Sequence, residues 1–300
     1  MYKFLINEEF SGKEFDINYR YDISLTSCPI DERSKFSKEI AKASSIQQIE
    51  LYYEQETLSL TIDDKTESLF DFLQRKDIWG ARSVLFDATN LSFPELVIVL
   101  RLSLSLKSVG RIGFIYTEPA EYTSKVVTPL EIRGFDLSYK INPLDFIPRF
   151  YNALESGLKN YLLAFVGFEQ TRLARLVDPD LTETFTKLSV AFSVPPFQAG
   201  WETHSLMAHS RIFENNKIED AFFTPGNQPY ESYLLIQRLK KADDEAHLTL
   251  APFGTKPTSV AVALAAAEDE NISVLFDFPA KKTDRSKGIG ITHHYPILIE

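Results

Sequence analysis

The sequence predicts an α/β protein with a Rossmann-like, mainly parallel sheet and helices on both faces in its C-terminal half, preceded by an α+β N-terminal region. The composition is that of a globular chain, with 44% hydrophobic and 25% charged residues. From residue 83 onwards, short apolar runs alternate with helical segments. With about 150 residues as the usual length of a domain, the 300 residues allow either one large α/β domain or two modest ones, and the change of pattern along the chain favours two. We therefore expect an N-terminal region over residues 1–150 and a Rossmann-like domain over residues 151–300.

The N-terminal region mixes short strands with one early helix. Apolar and polar residues alternate over Phe15–Ile23, as in a half-buried strand, and Asp31–Ala43 combines a capping residue with helix-forming charges. Two β-like runs, Gln48–Tyr53 and Thr57–Ile62, are separated by a short polar segment. This pattern predicts a strand, a helix and a hairpin.

Strand, helix and strand then follow one another. An apolar run at Ser83–Ala88 precedes a helix that starts near Ser92, and a further buried run lies at Arg111–Tyr116. This is one βαβ unit, which favours parallel pairing. The same alternation of strands and helices recurs later in the chain. Strands are predicted at 161–167, 187–194, 247–253 and 271–279, and helices at 168–178, 199–215, 230–241 and 258–269.

Charge and cysteine content restrict the compartment and the partners. The net charge of -10 argues against binding to a phosphate backbone as the main task, so we expect no nucleic-acid partner. Cys28 is the only cysteine, which excludes an internal disulfide and favours a reducing compartment. The sequence shows neither a signal-peptide pattern nor an apolar run of about 20 residues, so we expect a cytoplasmic protein without a membrane span. The spacing of the histidines predicts no metal site, since His204 and His209 lie five residues apart.

The sharpest functional signal is the segment Phe253-Gly254-Thr255-Lys256-Pro257, where a predicted strand ends and a helix begins. Gly254 allows close backbone approach, Thr255 can cap the helix, and Lys256 adds positive charge beside free helix N–H groups. This combination predicts a site for a phosphate or a nucleotide. The alternative is a βα turn in which the same residues serve only as glycine, cap and first helical proline.

Two further strand-to-helix junctions carry polar side chains. Glu169 and Arg172 follow a predicted strand, where Glu169 could accept a ribose hydroxyl or act as a base and Arg172 could bind phosphate in a bidentate way. Asp87, Thr89 and Asn90 follow the strand of the first βαβ unit and would join Lys256 if both halves faced one cleft. A solvated helical turn and an Asx-type turn are the respective structural alternatives.

The stretch HLTLAPFGTKPTSVAVAL resembles the ligand-binding junction of CARF and SAVED domains, which are Rossmann-like nucleotide sensors of prokaryotic CRISPR and antiviral defence. A Thr-Gly-Gly-Thr-Lys-like stretch can occupy this position in those families. Gly254, Thr255 and Lys256 match it, whereas Phe253 replaces one glycine and no effector nuclease domain is recognisable. The resemblance implies a cytoplasmic sensor for a nucleotide.

Two functions stay open at this point. The first is a prokaryotic sensor or accessory subunit that binds a nucleotide or other anionic small molecule, with antiviral defence as a candidate setting, and signals to a protein partner or a second copy of the chain. The second is a transferase or hydrolase for a phosphorylated substrate, with Glu169 or Asp87 as base and Lys256 stabilising charge. The sequence favours the sensor, since it shows anion-binding features but no nucleophile or metal constellation. It assigns neither a catalytic residue nor a cofactor.

Overall fold

The structure is a computed structural model that describes residues 2–12, 15, 17–126, 133–135, 137–152, 159–178, 181, 183–215, 218–283 and 285–300. The chain divides into two compact units, unit 1 with Met1–Tyr122 and Ser286–Glu300 and unit 2 with Thr123–Arg285. This division differs from the expected boundary at residue 150. The C-terminal residues belong to unit 1 because the last strand of the chain pairs within the sheet of that unit.

Helices and strands are numbered along the chain. The helices are α1 (Glu32–Ala43), α2 (Leu69–Leu73), α3 (Phe93–Ser105), α4 (Gln170–Leu176), α5 (Trp201–Asn215), α6 (Pro229–Ala242) and α7 (Lys256–Glu268). The strands are β1 (Tyr2–Phe4), β2 (Glu8–Phe10), β3 (Tyr21–Thr26), β4 (Ser45–Glu54), β5 (Ser59–Ile62), β6 (Lys65–Ser68), β7 (Ser83–Asp87), β8 (Arg111–Thr117), β9 (Glu121–Tyr122), β10 (Ser124–Val126), β11 (Arg133–Phe135), β12 (Ser138–Lys140), β13 (Asp145–Phe146), β14 (Asn160–Val166), β15 (Lys187–Ser193), β16 (Asp220–Thr224), β17 (His247–Phe253), β18 (Ile272–Phe276), β19 (Ala280–Lys281), β20 (Ser286–Lys287) and β21 (Thr292–Ile299).

Unit 1 contains a nine-stranded sheet in the order β1-β21-β8-β7-β3-β4-β5-β6, with β2 also paired to β21. The four neighbours β8, β7, β3 and β4 run parallel to one another, while β21 and the β4–β5–β6 hairpins pair antiparallel. The predicted hairpin and βαβ unit are therefore confirmed. The centre of this unit is nevertheless α/β rather than α+β, because helix α1 connects β3 to a parallel neighbour, β4, and so forms a second βαβ unit.

The first predicted strand is displaced. The alternation over Phe15–Ile23 suggested a half-buried strand, but β3 runs over Tyr21–Thr26 and is paired on both sides. A central strand is buried on both faces, and in β3 the buried polar positions are filled by small residues such as Ser24 and Thr26. The alternation of apolar and polar residues therefore does not mark the bounds of this strand.

Unit 2 contains a six-stranded sheet in the order β13-β18-β17-β14-β15-β16. Every neighbouring pair from β18 to β16 is parallel, and β13 pairs antiparallel with β18. The predicted parallel pairing of the second half is thus confirmed for these strands. Their centres are almost fully apolar, as in β14 and β17, because a parallel sheet is covered on both faces.

Side chains at the helix N-termini explain where several helices begin. Asp31 and Ser92 each form a capping box, and Glu95 supplies the returning carboxylate in the second. Thr255 caps α7, and a proline occupies the first turn of α3, α6 and α7. Among the described residues, no helix has the length and apolar character that crossing a bilayer requires.

Candidate functional site

The candidate site lies at the carboxyl edge of the parallel sheet in unit 2. Strand β14 is the first of the parallel strands in the chain, β15 and β16 extend the sheet on one side of it, and β17 and β18 extend it on the other. The direction of strand addition therefore reverses between β14 and β17. In open α/β sheets this reversal leaves a crevice beyond the strand ends, where ligands bind.

Two glycines follow the two strands at this reversal, and both are required by close contact. A Cβ on Gly167, after β14, would lie 2.9 Å from the carbonyl oxygen of Phe253. A Cβ on Gly254, after β17, would lie 2.7 Å from Thr258 Oγ1 and 3.2 Å from Phe165 Cβ. The glycines thus let the two loops pack against each other and keep side chains out of the crevice floor.

Thr255 joins the loops that follow β16 and β17. Its hydroxyl donates to the carbonyl oxygen of Gly226 over 2.7 Å and accepts from the backbone N–H of Thr258 over 3.4 Å. The N–H of Gly226 in turn donates to the carbonyl oxygen of Pro195, over 2.8 Å. Thr255 therefore has the capping role expected from the sequence and also fixes the neighbouring loop.

Lys256 is the first residue of α7 and is half-buried. The N-terminus of this 13-residue helix contributes partial positive charge at the same place. Pro257 and Thr258 behind it are buried, so the start of α7 is anchored in the unit. The structure thus brings Gly254, Thr255 and Lys256 together where a strand ends and a helix begins, as predicted.

Glu169 is occupied within the protein. It is the N-cap residue of α4, but its side chain makes no capping bond. Its Oε1 accepts from the N–H of Leu137 and its Oε2 from Ser138 Oγ, both over 3.1 Å. In this arrangement Glu169 holds a chain segment instead of a ligand hydroxyl, and both of its partners are neutral, so its negative charge remains at the edge of the sheet.

Arg172 forms the bidentate ion pair that its position suggested, but with a protein carboxylate. Its Nε and Nη2 donate to Asp277 over 2.7 and 2.5 Å, and its guanidinium carbon lies 4.3 Å from the centre of the Phe253 ring. Asp277 follows β18 and is fully buried. Arg172 therefore links the ends of β17 and β18 to α4, and its phosphate-binding geometry is used internally.

Helix α5 approaches the same edge from the other side of β14. Ser205 Oγ donates to the carbonyl oxygen of Gly167 over 2.7 Å. One turn later, His209 is buried with its Nδ1 2.7 Å from the carbonyl oxygen of Ser205. Burial lowers the pKa of His209 because it disfavours the imidazolium, although the bond to Ser205 opposes this shift.

The other predicted group, Asp87, Thr89 and Asn90, lies in unit 1 at the end of β7. Asp87 is fully buried, and its Oδ2 accepts from Thr26 Oγ1 over 2.8 Å and from Asn90 Nδ2 over 2.5 Å. Its Oδ1 accepts from Ser37 Oγ over 2.6 Å and from the N–H of Thr89 over 3.2 Å. This carboxylate ties β3, β7 and α1 together and has the geometry of a structural group.

Sequence reasoning missed the partners that occupy these side chains. Asp277 was overlooked although it lies inside the apolar run that predicted a buried strand at 271–279, and a carboxylate that is buried needs a partner. Adjacent histidines on β21 also find carboxylates, with His293 Nε2 2.6 Å from Glu118 Oε1 and His294 Nδ1 2.7 Å from Glu8 Oε2. The signal available in the sequence was the pair of adjacent histidines, His293 and His294, whose side chains point to opposite faces of a strand and so need separate partners.

The part of the chain that the structure describes contains no group of three or more His, Cys, Asp or Glu side chains arranged to hold a metal ion. Comparison with protein-family models and with curated proteins found no match to this sequence. The functional interpretation therefore rests on the geometry of the carboxyl edge in unit 2.

Proposed function

We propose that unit 2 is a Rossmann-like domain that binds a nucleotide or another anionic small molecule at the carboxyl edge of its sheet, and that the protein acts as a sensor or accessory subunit. The single observation that carries the proposal is the reversal of strand addition between β14 and β17. Gly167 and Gly254 line that point, and α7 begins there with Lys256.

The charges at the edge indicate what kind of anion fits best. Lys256 and the start of α7 attract a negatively charged group of a ligand. The Glu169 carboxylate repels such a group, but it can accept hydrogen bonds from hydroxyl or amino groups. A ligand that presents a phosphate together with hydroxyl or amino donors satisfies both, while a bare phosphate satisfies only the first. A nucleotide has this combination, with ribose hydroxyls beside its phosphates.

The sensor is favoured over the transferase or hydrolase by the state of the two proposed bases. Asp87 is fully buried and accepts from several donors, and Glu169 holds Leu137 and Ser138. Both oxygens of Asp87 already accept hydrogen bonds, and Glu169 is engaged by the chain itself for as long as its two bonds hold. A role in antiviral defence is what the resemblance at Gly254, Thr255 and Lys256 implies, and it is part of this proposal.

The test combines a nucleotide panel with a lysine substitution. Thermal-shift screening selects the nucleotides that raise the melting temperature, and calorimetry then compares wild type, Lys256→Ala and the control Lys241→Ala, which removes an exposed charge from the last turn of α6. Loss of a charge-assisted bond worth about 1.5 to 3 kcal/mol should weaken binding tenfold or more in Lys256→Ala alone.

Equal affinities in the three proteins would remove Lys256 from the site, and no stabilisation by any nucleotide or by pyrophosphate would refute the proposed function. Product analysis of the same incubations separates the two functions. Binding without turnover agrees with a sensor, whereas release of phosphate or a transferred group would establish the enzyme.

A further inference from the structure

A segment of unit 2, Leu137–Asn142, crosses the carboxyl edge of the sheet, and we call it the strap. At one end, Leu137 and Ser138 are held by Glu169, which follows β14 by three residues. At the other end, the N–H of Asn142 donates to the carbonyl oxygen of Asp277, directly after β18. Between these ends, β12 pairs with β19 beyond the end of β18.

The order of strands puts the two anchors of the strap on opposite sides of β17. Strand β17 lies between β18 and β14 in the sheet, so the neighbours on which the strap is anchored are about 10 Å apart. The segment is bonded to both ends of α4 and to the residue after β18, so its two anchors lie on opposite sides of β17. The residues at the end of β17 are Phe253 and Gly254, followed by Thr255 and Lys256.

Helix α4 supplies two side chains that hold the strap, and the Thr283 hydroxyl lies 3.4 Å from Tyr139 Oη. Glu169 at the start of α4 accepts from Leu137 and Ser138, and Arg175 in its last turn donates to the carbonyl oxygens of Ile141 and Asn142 over 3.0 and 2.5 Å. The bonds from Arg175 are exposed and those to Glu169 are half-buried, and water can replace exposed polar contacts. Within the strap, Ser138 is buried, whereas Tyr139 is 67% exposed.

We propose that the strap is a lid over the end of β17, that Glu169 is its latch, and that a ligand enters the site only when the latch opens. The ligand part of this inference rests on the proposed function. Opening frees the Glu169 carboxylate, which can then accept hydroxyl or amino donors of the ligand. The latch thus couples entry to recognition, because a ligand with such donors replaces the bonds that the strap gives up.

The first experiment measures the latch without any ligand. Hydrogen exchange of the peptide that covers the strap is followed in wild type, Glu169→Gln and the control Glu231→Gln, which removes an exposed carboxylate from the first turn of α6. In glutamine an NH2 group replaces one of the two accepting oxygens and the negative charge is lost, so the bonds from Leu137 and Ser138 are weakened. We expect about tenfold faster exchange in Glu169→Gln only, the factor that corresponds to ~1.4 kcal/mol.

The second experiment measures access to the end of β17. In a Cys28→Ser background, which removes the exposed native thiol, Lys256→Cys is labelled with a thiol reagent in the presence and absence of Glu169→Gln. A lid predicts faster labelling when the latch is weakened, and Arg175→Ala should act in the same direction. Unchanged exchange of the strap, or faster exchange with unchanged labelling, would overturn the proposal.

The third experiment separates this inference from the proposed function. Stopped-flow association of the fluorescent nucleotide mant-ATP should be faster in Glu169→Gln than in wild type and in Glu231→Gln. If mant-ATP binds but its association rate is the same in all three proteins, the strap is not a lid for the site. If mant-ATP binds to none of them while labelling is accelerated, the lid stands and the nucleotide function fails.

Discussion

The ion pair between Arg172 and Asp277 gives the sharpest test of the site, because it decides whether Arg172 is structural or binds a ligand. The side chains of the two residues are 11% and 0% exposed, and two hydrogen bonds join them. An exposed ion pair contributes about 0 to 1 kcal/mol, whereas removing one member of a buried pair costs about 3 to 5 kcal/mol. Arg172→Met keeps most of the apolar stem and leaves the Asp277 carboxylate buried without its counter-ion.

We therefore expect Arg172→Met to lower the free energy of unfolding of unit 2 by about 3 to 5 kcal/mol. The assay is urea denaturation followed by the fluorescence of Trp201, with Trp79→Phe removing the tryptophan of unit 1. The matched control is Lys159→Met, which breaks the ion pair with Asp243, where the lysine side chain is 54% exposed. Its loss should cost no more than about 1 kcal/mol.

The double variant Arg172→Met/Asp277→Leu completes the cycle. Removing both charges should recover much of the stability, because a buried pair and an apolar pair of similar volume differ little in free energy. A loss below about 1 kcal/mol in Arg172→Met would refute the structural role. Unchanged stability together with weaker nucleotide binding would instead make Arg172 the phosphate ligand that the sequence suggested.

Three further predictions concern stability. Gly254→Ala places a Cβ 2.7 Å from Thr258 Oγ1, and calorimetry should show a loss of about 1 to 3 kcal/mol. Asp87→Ala leaves the buried donors of Thr26 and Asn90 without their acceptor, and urea titration should show that the free energy of unfolding falls by at least about 2 kcal/mol. Since burial lowers the pKa of His209 below 6.5, the unfolded chain binds its proton first as the pH falls. Stability should decrease below pH 6.5, and less steeply in His209→Gln, when unfolding is compared at pH 7 and 5.

The apolar runs were sufficient to place four of the six strands in the main sheet of unit 2, because a strand buried on both faces is a short, continuous apolar segment, whereas β13 and β16 were missed. Strand β17 was predicted with its observed bounds, and β14 and β15 to within one residue at each end. Their order in the sheet could not be read from these runs, since it depends on which strands pair in space. The same holds for β21, whose place beside β8 decides the division into units.

The candidate site was predictable where it is local and unpredictable where it depends on distant partners. The contact of Gly254 with Thr258 and the cap that Thr255 provides for α7 lie within one turn of the chain, so these two roles follow from the sequence around them, unlike the contacts with Phe165 and Gly226. Glu169 and Arg172 were recognised as polar groups at a strand end, but their partners come from segments 31 and 105 residues away. No pattern in the neighbouring sequence identifies such partners.

The position of β21 determines the order in which the chain can fold during synthesis. The ribosome completes all of unit 2 before it makes Thr292–Ile299, so unit 2 can close its own sheet while the sheet of unit 1 still lacks a strand. Until then β8 presents unpaired N–H and C=O groups along one side, and β1 and β2 have no partner to pair with, because both pair with β21. An open edge of this kind recruits other strands. Slow translation between residues 123 and 291 would therefore prolong the interval in which the nascent chain is prone to aggregate, and the final strand closes that interval in one step.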